Sequence, residues 1–115
     1  MFYKSDASGY KQALEGIRLK TLAYGEKTLL AEFRLQKGST LPKHSHRYEQ
    51  TGYLVSGQML LSIGGETFGA GPGDSWCIPG DVEHGADILA DSIAVEVFSP
   101  VREDYLPENL DSTSS

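Results

Sequence analysis

Residues 38–57 read GSTLPKHSHRYEQTGYLVSG, and the fold turns on how this stretch is read. A glycine opens it and a glycine closes it. Between them His44 and His46 are separated by one residue, and Gln50 follows four positions later. In a β-strand, side chains i and i+2 face the same side. His44 and His46 therefore point together, and Gln50 shares their parity. The chain has 3 histidines. The third, His84, comes just after the turn-rich IPGDVEH, from which a neighbouring strand can return it to the same point. Three imidazoles and one side-chain carbonyl oxygen make a site for one divalent transition metal per chain, with Ni, Zn, Mn, Fe and Cu all eligible. Gln50 could instead hydrogen-bond the backbone. As a ligand it would leave the ion its full +2 charge, and so a stronger Lewis acid toward anionic or hydroxyl oxygens.

Outward from this stretch, short strands alternate with turns. KTLLAEFRLQKG places Leu29, Ala31, Phe33 and Leu35 on one face and Leu30, Glu32, Arg34 and Gln36 on the other. TGYLVSGQMLLSIGGE reads as two strands around Ser56-Gly57, with a second turn at Gly64-Gly65. A short strand is expected from Trp76 to Ile78 between glycine- and proline-rich turns, and a terminal strand from Ile93 to Phe98. The spacing predicts an all-β domain, a sandwich or barrel of antiparallel strands. It divides into N-terminal strands (1–36), a core carrying the histidines (37–106) and a flexible C-terminal tail (107–115).

A chain of 115 residues fits one domain, able to bury roughly two-thirds of its unfolded surface without a staple. The net charge of −6 argues against nucleic acid and anionic membranes as partners. Cys77 is the only cysteine, so no internal disulfide can form. It has no evident base partner and reads as a small buried residue, not a nucleophile. No apolar run approaches a membrane span, and the N-terminus lacks the apolar core of a secretion signal. The expectation is a soluble cytoplasmic protein.

The spacing G-x5-H-x-H-x3-E-x6-G over Gly38, His44, His46 and Gly57 resembles the first motif of the cupin superfamily, with Gln50 where the motif has glutamate. GDSWCIPGDVEHGADI is similar to the second, G-x5-P-x-G-x2-H-x3-N, through Gly73, Pro79 and His84. Asp81 replaces the last glycine and Ile88 the asparagine. The resemblance implies a single-domain jelly-roll β-barrel, dimeric, with a metal held by His44, His46, Gln50 and His84. Together with the ending VEVFSPVREDYL, the chain also resembles the KdgF-type pectin-degradation proteins. These use a histidine-histidine-glutamine-histidine metal site and convert 4,5-unsaturated monouronates to linear keto forms. The resemblance marks an aspartate and a phenylalanine, two apart, on the last strand. Glu96 and Phe98 stand in those places, Glu96 with one methylene more.

In SIAVEVFSP, Glu96 shares a face with Ala94 and Phe98. Such a carboxylate is either turned inward near the metal, suited to proton transfer, or turned outward in a salt bridge. Phe98 is a site residue or ordinary core. Lys43 and Arg47 flank the histidines and, with Arg102, could hold a substrate carboxylate. Arg102 could equally pair with the adjoining Glu103 or Asp104. Tyr48, Tyr53 and Trp76 offer rings for a sugar face, or serve as core or dimer contacts. Three functions remain open: a metal-dependent uronate ring-opening lyase or isomerase, a metal-dependent dioxygenase, and a non-catalytic small-molecule binding module. A homodimer is expected, since open sheet edges and apolar outer faces need covering.

Overall fold

The computed structural model describes residues 1–113. Eight strands follow in order: β1 (Lys11–Leu14), β2 (Ile17–Tyr24), β3 (Leu29–Leu35), β4 (Thr40–His44), β5 (Glu49–Ile63), β6 (Glu66–Ala70), β7 (Ser75–Ile78) and β8 (His84–Ser99). A 3-10 turn, Glu103–Tyr105, and a short helix α1, Pro107–Thr113, complete the chain. Every strand pairing is antiparallel.

The two long strands organise the rest. The C-terminal half of β8 pairs with β3 on one side and with the N-terminal half of β5 on the other, and β5 there also pairs with β7. The N-terminal half of β8 pairs with β4 and with the C-terminal half of β5, which also pairs with β6. Each long strand thus belongs to two sheets that fold over one another, the jelly-roll arrangement expected from the sequence. β1 and β2 extend the first sheet beyond β3.

The core follows from alternation. Leu29, Ala31, Phe33 and Leu35 on β3 are buried, as are Ala94 and Phe98 on β8, and they join one cluster with Ile17, Leu19, Leu54, Met59 and Ile88. Glu96 lies in the same inward series, so the outward salt bridge weighed for it is not what forms.

One expectation is corrected here. Ser56-Gly57 is not a hairpin turn, for β5 runs on through it as a bulge, with register shifts against β8 between Leu54 and Met59. Gly57 has φ +101, and a Cβ there would lie 2.1 Å from Ser92 Oγ. The glycine lets both long strands bend from one sheet into the other at a single corner. Within the expected tail, Pro107–Thr113 forms α1. Pro107 suits the first helical position, and Leu110 is buried in the core cluster. Ser114 and Ser115, the rest of that expected tail, lie outside the described residues.

Candidate metal centre

β4 ends at His44 and β8 begins at His84, and the two residues are register partners. Their rings lie 4.3 Å apart between centroids. His46 does not continue the strand, as the HxH parity suggests. It sits in the following loop, where Asp81 N–H donates to its carbonyl at 2.7 Å. Asp81 takes φ +66, the conformation the cupin motif meets with glycine and one that a short aspartate side chain tolerates. The loop still delivers the His46 ring 4.8 Å from that of His84 and 5.6 Å from that of His44. One ligand atom from each of the three histidines lies within 4.8 Å of the others.

The hydrogen bonds decide which nitrogens those are. His44 Nδ1 faces the Pro42 carbonyl at 2.9 Å, His46 Nδ1 the Tyr48 carbonyl at 3.2 Å, and His84 Nδ1 the Val82 carbonyl at 2.9 Å. A carbonyl only accepts, so each Nδ1 carries the proton and each Nε2 presents a lone pair. Burial lowers the pKa of His46 and of His84, and neighbouring positive charge lowers both further, which favours the neutral rings. His84 Nε2 is buried without a hydrogen-bond partner.

Gln50 lies beside the three rings. Its Nε2 donates to Glu96 Oε1 at 2.7 Å, which turns its Oε1 toward His46 Nε2 at 3.1 Å. Two lone pairs facing each other at that distance, beside a buried and unpartnered third, fit a shared cation. The N3O donor set suits a divalent transition metal.

Glu96 is 8% exposed. Burial raises its pKa, opposed by its hydrogen bonds from Gln50 and Trp76 and by the charge of Arg102. Phe98, beside it on the inward face, is buried and packs edge-on to the His46 ring at 6.1 Å.

A narrow cavity of about 60 Å³ is bordered by His44, His84, Gln50, Glu96, Phe98 and Trp76. That is room for water, not for a sugar acid. A cleft of about 400 Å³ opens beside it and shares His44, Phe33, Leu41, Arg102 and Tyr105 with it. Arg102 stacks on Tyr105 with its Cζ 3.9 Å from the ring centre, while its Nε pairs with Asp104 at 3.1 Å. The local salt bridge and the place at the mouth therefore coexist. Lys11 also lines the cleft.

Lys43 and Arg47 are placed elsewhere. Both are exposed, and neither borders the cavity or the cleft; Lys43 alternates with His44 on β4, and Arg47 stands in the loop after it. Arg47 lies over the Tyr48 ring at 4.8 Å, and Tyr48 packs against the core. Trp76 faces the cavity, and its indole N–H donates to Glu96 Oε1 at 2.9 Å. Tyr53 is exposed on the outer face of the sheet. Sequence reasoning missed Lys11, Tyr105 and the Trp76–Glu96 bond. The one signal for that bond was Gly52, a glycine inside a strand, which marks a close approach.

The family model described as a cupin domain matches residues 31–99. No curated protein matches the sequence. Among solved structures, KdgF from Halomonas sp. is 30% identical, covers 92% of this chain and 100% of its own, and superposes with a TM-score of 0.86. An RmlC-like cupin from Shewanella frigidimarina NCIMB 400 is 28% identical, with coverage of 84% and 87% and a TM-score of 0.81. With the domain match spanning both histidine motifs over more than half of the chain, the chain belongs to the cupin family.

Proposed function

We propose that the protein opens 4,5-unsaturated monouronates, of the kind released from pectin or alginate, to their linear keto forms, using one divalent transition metal held by His44, His46, His84 and Gln50. One observation carries the reading: a buried carboxylate, Glu96, hydrogen-bonded to Gln50 beside three convergent imidazoles. The similarity to KdgF over nearly the whole chain supports it.

The substrate is a cyclic hemiacetal whose ring oxygen is bonded to an alkene carbon. A bound divalent ion would stabilise negative charge developing on oxygen. Arg102, with Lys11 on the same cleft, holds the substrate carboxylate. Glu96 takes the proton of the anomeric hydroxyl, the bond from the anomeric carbon to the ring oxygen breaks, and an aldehyde and an enolate result. The proton then passes from Glu96 to the alkene carbon, which gives the ketone. No net oxidation or reduction occurs. Phe98 and Trp76 wall the cavity beside the carboxylate. The protein works as a homodimer in the cytoplasm, its single cysteine needing no oxidising compartment.

The test is to incubate Zn²⁺-loaded protein with unsaturated galacturonate and follow the ultraviolet absorbance of the C=C bond. Loss of absorbance is expected. Constant absorbance across unsaturated uronates and several metals overturns the reading, and oxygen consumption by Fe(II)-loaded protein would favour the dioxygenase.

A further inference from the structure

We infer that Trp76 is a positioning residue for the fourth metal donor, acting through Glu96, and that Gly52 is the opening in the sheet that allows it. The inference rests on the metal reading of the site and not on the choice of substrate.

Trp76 on β7, Gly52 on β5 and Glu96 on β8 are register partners across three adjacent strands. The indole lies across the backbone of Gly52. A Cβ at that position would stand 2.2 Å from Trp76 Nε1 and 2.3 Å from its Cε2, so any side chain there displaces the ring. Through this gap the indole N–H reaches Glu96 Oε1 at 2.9 Å, the same oxygen that accepts the Gln50 amide at 2.7 Å.

The Gln50 amide has two ways to lie. With its oxygen toward His46 it offers a metal donor. Flipped, its N–H would satisfy the His46 Nε2 lone pair and remove that donor. In isolation the flipped state is favoured, because a donor then meets an acceptor. Glu96 reverses the preference by demanding the amide N–H on its own side. It can do so only while its carboxylate is held, and the Trp76 N–H holds it. The chain Trp76–Glu96–Gln50 therefore keeps the oxygen aimed at the cluster before any ion arrives.

Trp76→Phe keeps a ring and removes the N–H. Gly52→Ala keeps every polar group and blocks the indole. Both should bind Zn²⁺ about 10–100-fold more weakly than the wild type by calorimetric titration, the usual effect of losing an orienting partner. In the metal-free proteins, the Gln50 side-chain amide resonances should shift in both variants while amides remote from the site stay in place. Wild-type Zn²⁺ affinity in both variants overturns the inference. A wild type that binds no Zn²⁺ sinks the metal reading instead. The metal-free spectra then decide the relay, which fails if the Gln50 resonances of Trp76→Phe coincide with those of the wild type. Should Gly52→Ala not fold, Trp76→Phe carries the test alone.

Discussion

At the scale of single residues, the proposed chemistry concentrates on Glu96. Its Oε1 is engaged by Gln50 and Trp76. A glutamine in its place could still accept both hydrogen bonds through its own carbonyl oxygen. Glu96→Gln should therefore keep fold and metal content but lose about 10²–10⁴-fold in turnover, the usual cost of removing a general base. Glu96→Asp restores the residue type of the resembling family and should retain activity. Steady-state rates paired with elemental analysis separate the two, and a fully active Glu96→Gln would end the role given to Glu96. Tyr105 offers a second residue-scale expectation. Burial, with smaller electrostatic contributions, pushes its phenol up to about 12 from an ordinary value near 10. A raised folded-state value means stability that is fully present below the unfolded pKa and lost as pH rises through the folded one. Unfolding free energy should then fall between about pH 10 and pH 12, by roughly 2–3 kcal/mol from this group. Tyr105→Phe should flatten that part of the profile, read by urea denaturation at stepped pH.

At the scale of elements, the corner in β5 is the most sensitive point. An L-residue at φ +101 costs about 1–3 kcal/mol in backbone strain alone. At Gly57 it would also collide with Ser92, whose side chain accepts from Gln58 N–H at 3.2 Å. Gly57→Ala should lower stability by at least 2 kcal/mol or so, seen as a lower urea midpoint. An unchanged midpoint would mean the corner can relax without cost. The same corner shows where the sequence stops being legible. Alternation in KTLLAEFRLQKG and SIAVEVF identifies the inward sets, because side-chain direction in a strand is a local property. Whether Ser56-Gly57 is a hairpin or a bulge is not local. Both need a glycine at positive φ, and only the partner strand's register separates them. The cluster of histidines was legible for a related reason: His44, His46 and His84, with Gln50 beside them, converge at motif spacing however the loop around His46 runs. The cleft beside it was not. Lys43 and Arg47 are neighbours of the histidines in sequence but point away, while Lys11 and Tyr105 reach the mouth from opposite ends of the chain. α1 escaped notice because seven residues carry little helical signal of their own. Its place comes from burying Leu110.

At the scale of the whole molecule, metal and assembly should both register in stability. A ligand that binds only the folded state adds about 2.7 kcal/mol when its free concentration is 100 times its Kd. The melting temperature of the wild type should climb with added Zn²⁺. That of the His44→Ala, His46→Ala double variant should not, and equal responses would remove these two residues from the site. On the outside of the first sheet, Tyr53 and Val55 are exposed. Val95, register partner of Tyr53, and Val97 turn outward beside them on β8. This apolar face is what a second copy would cover, and light scattering at micromolar concentration should return twice the chain mass. A monomer there would count against the assembly.

The sharing of β5 and β8 between both sheets has one more consequence, and it concerns time. Each of these strands is hydrogen-bonded on both sides along most of its length, whereas β1, β6 and β7 are edges. Local openings that release an edge strand leave the central pair intact, so the amides that join β5 to β8 exchange with solvent only when nearly everything opens. Gln50 and Glu96 both sit on that pair. The donor and the carboxylate therefore ride on the slowest-exchanging part of the protein. Trp76, which orients them, stands on an edge that breathes. In deuterium, β7 should label in an early phase together with Leu54, whose N–H donates to the Asp74 carbonyl, and Ala94 of β8 in the last, so that the relay loosens many times for each time β5 and β8 come apart.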